Sequence, residues 1–449
     1  MGIRQSQFSL FLFTFCLATL STVTNAQQIN KGGTLKECIN YALENNAKIR
    51  QSEADHHEYY YQIQEVKSNL LPQVSGSGVI DRNIVIPTMI LPGEIVGQPG
   101  TKIPAQMGTK NLLDFSAQIE QVIFDPALFQ GIRIAKTNQE LLTLQKELTE
   151  EEVIYNVSTI FYEIARTKEE LKNVEHMLIL QTESYTIVDE RIEQGISRPV
   201  DRNRIQVNIN GLKTRKRGLE SIIYQQTNYL KALIGVNVNE DFTIQYGIVL
   251  TPQINDAFLP YENTNRTEIQ LLTTQKNLVN FEIIQEKKKY LPTLSGLFSA
   301  GYQFQSDQFR ITQDPWFSSV AIGLRLKVPI FDGHAKRSRI QQLHWQNQRI
   351  ESQILQKQHD LEADERNAFY KLQRSRENLT EQKQNVNLAE DNYNKTNLLY
   401  KQGLIDIGEV FSTESSLLDA KTAYSNECIA YKIAEIELQK ALGTLKNNL

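Results

Sequence analysis

The chain has 449 residues, a formal net charge of −4, 22% charged and 40% hydrophobic residues, and three cysteines. An acidic balance excludes the basic footprint of a nucleic-acid binder, and three cysteines in a chain this long are no disulfide framework. A mean hydropathy of −0.39 fits an exported soluble protein or a membrane β-barrel, whose alternating strands never look hydrophobic as a block.

At the N-terminus, Arg4, the apolar stretch Phe8 to Leu20 and the small-residue pattern Thr24-Asn25-Ala26 predict a secretory signal over 1–26. The apolar run is short of the ~18–20 residues that a membrane span needs. Losing Arg4 takes the mature charge from −4 to −5. Cys16 lies within the apolar run without the small residues that precede a lipidated cysteine. Cys38 and Cys428 remain and read as lone buried thiols, with pairing left open. Beyond Ala26 no run of ~18 apolar residues occurs, so no transmembrane helix is expected.

The rest of the chain reads as one unit written twice, over 27–240 and 241–449, the two copies forming a single intertwined domain. Leu71-Pro72 recurs as Leu291-Pro292, Phe124-Asp125 as Phe331-Asp332, Gly195 as Gly403, and Lys231-Ala232-Leu233 as Lys440-Ala441-Leu442. The last three pairs share an offset of about 208 residues, the register expected of a tandem repeat.

In the first copy a helical segment over 35–70 precedes strands over about 73–86 and 114–124. In the second, a helical segment over 264–290 precedes strands over about 293–305 and 318–331. The strand reading rests on period two. Val320, Ile322, Leu324, Leu326, Val328 and Ile330 alternate with Ala321, Gly323, Arg325, Lys327 and Pro329. Leu294, Gly296, Phe298, Ala300, Tyr302 and Phe304 share a parity opposite Ser295, Ser299, Gln303 and Gln305. One apolar and one polar face suit a membrane barrel with a wet lumen, or two soluble hairpins on a core. Between the first two strands, Pro87, Pro92, Pro99 and Pro104 make 87–110 read as a long exterior loop.

A long helix follows each strand pair, over 127–194 and 335–402, each roughly 100 Å long at 1.5 Å per residue. Asp125 before Pro126 reads as a helix cap, and Asp332 as its counterpart. Ile134, Leu141, Leu148, Tyr155 and Tyr162 are seven apart, as are Leu372, Leu379, Val386, Tyr393 and Tyr400, the spacing of coiled-coil packing. Return helices over 200–233 and 407–445 continue the pattern, with Val410, Leu417, Tyr424, Tyr431 and Leu438 in the second. The return helix over 200–233 is half its partner's length. A return helix and the copy's opening helix, stacked end to end, match one long helix.

No catalytic constellation emerges, and the chain reads as a non-enzyme without cofactor or metal. The six histidines form no HExxH pattern, and His56 and His57 point to different helix faces. Gly93, Gly97 and Gly100 before Thr101-Lys102 lack the order of a phosphate loop. Glu150, Glu151 and Glu152 read as a solvated helix face.

Taken together these features resemble the TolC-like outer-membrane efflux protein family over nearly all of the mature chain. Thr34-Leu35-Lys36-Glu37 with Tyr41-Ala42-Leu43-Glu44-Asn45-Asn46 resembles that family's opening helix, with Ala47 where proline is common. Asn265-Arg266-Thr267-Glu268-Ile269 resembles the opening of the second copy. Gly195 followed by Asp201, and Gly403 followed by Glu409, resemble the motif at the periplasmic helix tips. Pro199, and Glu409 in place of Asp, are departures. The resemblance implies a homotrimer with a 12-stranded barrel and an α-helical periplasmic tunnel in the outer membrane. It also implies an adaptor and an inner-membrane pump as partners, in a tripartite efflux or type I secretion system. It places adaptor docking and the gate at Gly195, Arg198, Asp201, Gly403, Asp406 and Glu409, with Asp391 as a candidate for an acidic ring in the lumen. A passive porin and a periplasmic coiled-coil scaffold are the alternatives. Long helices weigh against the first and alternating strands against the second.

Overall fold

A computed structural model describes residues 33–97, 99–247 and 266–446. The signal over 1–26 and its cleavage after Ala26 lie outside the described residues, as does Asn265.

The chain opens with α1 (Leu35–Asn45) and α2 (Ala47–Ser68). Thr34 and Glu37 close a reciprocal capping box at the start of α1. The helix expected over 35–70 is thus two helices. Asn46 sits between them in an extended conformation (φ −62°, ψ 133°) and accepts the Lys48 N–H at the start of α2.

Strands β1 (Gln73–Arg82) and β4 (Asn111–Phe124) then pair antiparallel, and β5 (Thr293–Ser306) and β6 (Trp316–Lys327) complete one sheet in the order β1-β4-β5-β6. The register puts the period-two residues of the four strands in phase as far as Val122, where β4 shifts register against β5. Val74, Ile119, Phe298 and Ile322 form one apolar row, and Ile80, Leu113, Phe304 and Trp316 another. The opposite face is polar, with Ser77 and Ser116 hydroxyls 2.8 Å apart and Arg325 3.6 Å from Glu120. At the loop end of the apolar face Trp316 stacks on Tyr302 (4.9 Å) and Phe115 (6.2 Å) and packs on Phe304. Amphipathic aromatic rings collect at that level in membrane barrels, where the bilayer turns polar.

Three expectations are corrected here. Residues 87–110 are not merely a loop. They carry a separate antiparallel hairpin of β2 (Thr88–Pro92) and β3 (Lys102–Gln106), with a 3-10 turn over Gly93–Val96 between them. The strand expected to reach 331 stops at Lys327, two residues before Pro329, which lacks the N–H a ladder needs. Asp332 does not sit at the cap position. His334, in a left-handed conformation (φ 66°), precedes the long helix, and Asp332 reaches forward to accept the Lys336 N–H at 3.1 Å.

Four further helices complete the chain with α5: α3 (Pro126–Glu193), α4 (Pro199–Ile234), α5 (Thr267–Lys288), α6 (Ala335–Lys401) and α7 (Ile407–Ala441). Asp125 caps α3 by accepting the Ala127 and Leu128 N–H groups. Near the sheet the packing order is α2-α3-α5-α6, and farther away it is α4-α3-α7-α6. So α3 and α6 run the full length, while α2 follows α4 on one side and α5 follows α7 on the other. The joints between these half-length helices are chemical. Asn46 donates to the Leu233 carbonyl at the end of α4 (2.6 Å), and the Arg266 guanidinium donates to the Ala441 carbonyl at the end of α7. Each upper helix thereby satisfies an orphan carbonyl of the lower one. Replacing Asn46 by Ala should cost about 1–2 kcal/mol, losing a cap and a carbonyl partner together. Asp at this position should restore only the cap. Amide exchange at 46–49 and 233–236 would separate the two contributions.

Beside these joints lies the main core, where Cys38, Ile39 and Ala42 of α1 meet Val157, Phe161 and Ile164 of α3 and Ile429 of α7. Cys38 and Cys428 are both buried and free. Burial pushes the Cys38 thiol up to about 12 and that of Cys428 to about 11, so both are unreactive thiols at neutral pH. Among the described residues no helix is long and apolar enough to cross a membrane, and no cluster of His, Cys, Asp and Glu could hold a metal ion.

Candidate functional site

The end of the molecule away from the sheet consists of two helical hairpins, α3-α4 and α6-α7, lying side by side. Both turns are built alike. Gly195 (φ 74°) and Gly403 (φ 77°) stop their helices in a left-handed conformation. The Ile196 N–H then reaches the Arg191 carbonyl, and the Leu404 N–H reaches that of Leu399, at 2.8 and 3.0 Å. With the Gly195 and Gly403 N–H groups on Ile192 and Tyr400, this is the Schellman pattern at both tips. A Cβ at Gly403 would meet nothing within 4 Å, so the obstacle to substitution is the backbone alone. Gly403→Val should therefore cost about 1–3 kcal/mol, confined to the tip. Faster proteolysis near 403–406 with an undiminished yield of folded protein would report it.

The charged residues of the two turns converge. Asp201, in the first turn of α4, accepts the Arg198 N–H at 3.2 Å and its Nε at 3.4 Å. The same Arg198 donates through Nη2 to Asp406 at 3.1 Å. Asp406 in turn caps α7 by accepting the Gly408 N–H at 2.8 Å. One guanidinium therefore joins the starts of both return helices within a single chain. Asp201 is buried and its Oδ1 has no partner among the described residues. Glu409 is exposed in the first turn of α7. Asp391 lies higher on α6 and pairs with Lys395 at 2.6 Å, so its charge is locally neutralised.

Beneath the bridge a small core holds the hairpins together. Val188 of α3, Ile205 and Ile209 of α4, Tyr400 of α6, and Ile407 and Val410 of α7 are all buried in it. The Arg191 guanidinium lies 4.9 Å from the centre of the Tyr400 ring. Arg202 pairs with Asp189 at 3.1 Å across α4 and α3. Sequence reasoning found the glycines and Arg198, Asp201, Asp406 and Glu409. It missed Arg191 with Tyr400, and it missed a buried polar pair, Gln181 and Glu414, just above the core. The signal for the second was present. Glu414 falls midway between Val410 and Leu417 on the packed stripe of its helix, where a carboxylate is out of place.

Comparison with known proteins gives a single picture. The family described as outer membrane efflux protein matches residues 38–236 and 264–444. The outer membrane protein TolC of Salmonella enteritidis is 21% identical over 452 residues, covering 95% of this chain and 84% of that protein. Among solved structures, the Campylobacter jejuni CmeC outer membrane channel superposes with a TM-score of 0.74 at 16% identity, over 92% of this chain and 86% of that one. The open state of the Neisseria gonorrhoeae MtrE outer membrane channel gives 0.72 at 16% identity, over 92% and 89%.

Proposed function

This chain belongs to the outer membrane efflux protein family, and from that membership we propose that three copies close into a 12-stranded barrel whose helical tunnel ends in a gate formed by the paired hairpin tips. The protein is an outer-membrane exit channel for efflux, its sheet in the membrane and its helices in the periplasm. The family carries transport, and no enzymatic step is assigned to the chain.

The observation that supports closure by further copies is the four-stranded sheet itself. β1 and β6 are open edges, one face is mainly apolar, and an unpaired edge is not viable in lipid. The helices continue the same edges. α4 exposes Val207 and Tyr224, and α6 exposes Tyr370 and Leu388, each more than half accessible. A neighbouring copy that paired β1 with β6 would bring α4 and α6 of adjacent copies together. The number three comes from the family resemblance, since physics alone also allows eight or sixteen strands.

The tips are proposed as the docking end for a periplasmic adaptor that links the channel to an inner-membrane pump. Gly195, Arg198, Asp201, Gly403, Asp406 and Glu409 present the turns, and Asp391 with its opposite numbers would line the lumen above them. Native mass measurement on detergent-extracted protein should return a trimer, and a soluble monomer would sink the assembly. Tagged protein from crosslinked cells should retain an adaptor, and should lose it when Gly195 and Gly403 are both replaced by Val. Retention of the adaptor by that variant would move docking elsewhere.

A further inference from the structure

Above the tip core, α3 and α7 share a polar pair in an otherwise apolar seam. The Gln181 Nε2 donates to Glu414 Oε2 at 2.5 Å, and both side chains are almost fully buried, at 3% and 2% exposed. The amide oxygen of Gln181 and the second carboxyl oxygen of Glu414, both Oε1, are buried with no partner among the described residues. Two buried acceptors without protein donors are costly while the carboxyl is ionised. One proton on Glu414 turns its free acceptor into a donor, and the free amide oxygen of Gln181 is the acceptor available in the same pair. A neutral acid and an amide can then exchange two hydrogen bonds, where the ionised pair has one.

The surroundings offer the charge no compensation. The helices packed against α7 here are α3 and α6. From α6 the titratable group facing Glu414 is the Tyr393 phenol, pushed up by burial and then by the charges of Glu414 and Glu183. On α3, Glu183 is exposed, and its charge acts on the Tyr393 phenol. No lysine or arginine among the described residues pairs with Glu414. Burial pushes its carboxyl up from 4.5 to about 7, against the pull of the Gln181 bond.

We propose that Gln181 and Glu414 are a proton-operated latch between the two helical hairpins, which holds the seam shut while Glu414 is protonated and loosens it when the proton leaves. The sign follows from the raised carboxyl. The seam's stability is complete below the ordinary carboxylate range and is lost as pH rises through about 7. Between those limits the opening equilibrium rises by up to about tenfold per pH unit. The consequence for transport rests on the hairpin tips being the gate. A channel of this build then opens more readily in a neutral or alkaline periplasm than in an acidic one.

The test is amide exchange over 178–188 and 407–417 in the full-length protein from pH 5.5 to 8.5, corrected for intrinsic rates. Wild-type protection should fall as pH rises, and Glu414→Gln, which mimics the protonated acid, should hold protection flat. An identical pH profile in Glu414→Gln overturns the latch. Should that variant fail to fold, Gln181→Glu serves instead. Two carboxyls sharing one proton should move the transition to higher pH, and an unmoved transition overturns the proposal equally. Planar-bilayer conductance on the same samples separates the two ideas. Exchange that follows Glu414 while conductance does not leaves the latch standing and removes the gate from the tips.

Discussion

Arginine at Ile322 should block assembly of the barrel, while arginine at the adjacent Gly323 should be tolerated. Ile322 sits at the middle of β6, in a row with Phe298, Ile119 and Val74, and is 87% exposed in the single chain. Among the described residues nothing covers Ile322, which leaves it to lipid in a barrel wall. A cation at the bilayer midplane on a barrel's outer face costs about 2–4 kcal/mol in each copy. In the proposed trimer three copies would meet that cost together. Gly323 belongs to the other parity with Arg325, where the wall already carries a cation paired with Glu120. A Cβ there meets nothing within 4 Å, so a long side chain has room toward water. The yield of assembled protein in outer-membrane fractions decides it. Equal losses from the two variants would contradict the orientation, and a loss from Gly323→Arg alone would invert it.

The second large effect is expected at Asp201. Its buried carboxylate satisfies the Arg198 N–H and aims the guanidinium that reaches Asp406. Asp201→Ala removes a capping bond worth about 0.5–2 kcal/mol and frees the arginine. The ion pair adds little by itself, because Arg198 is two-thirds exposed and water screens it. The cap is therefore the larger part. If the bridge holds the tips closed, losing 1–2 kcal/mol should raise the open population by about 5- to 30-fold. Conductance of folded, trimeric Asp201→Ala should rise accordingly. Asp201→Asn, which keeps an acceptor for the Arg198 N–H but no charge, should recover most of the closed state. A folded Asp201→Ala trimer that conducts no more than wild type and exports normally would remove this residue from the gate.

The sequence made the broad architecture legible because its periods are unambiguous. Val320 to Leu326 alternate without a break, and Leu372 to Tyr400 repeat every seven residues over a stretch without Pro or Gly. What stayed hidden was set by local exceptions and distant partners. Pro92 and Pro104 argue against strands, yet both are tolerated in β2 and β3, because a two-stranded hairpin leaves each strand a free edge that needs no N–H. The break at Asn46 has no proline or glycine to announce it. It forms because the Leu233 carbonyl, far away in sequence, offers its side chain a partner. At the tips the glycines could be read from local backbone rules alone. The partner of Arg198 could not, since Asp406 lies in the other copy of the repeat and only the packing of α3 on α7 brings it near.

The joints at Asn46 and Arg266 have a mechanical meaning. Among the described helices only α3 and α6 run unbroken through that level. The rods beside them meet end to end, each joint carrying one side-chain hydrogen bond to a terminal carbonyl. Bending or untwisting there strains a polar contact, which re-forms readily, and leaves the backbone ladder of a helix intact. Each chain therefore behaves as two stiff spines flanked by jointed struts. If the tips open as proposed, the lower struts would swing at these joints while the sheet keeps its shape.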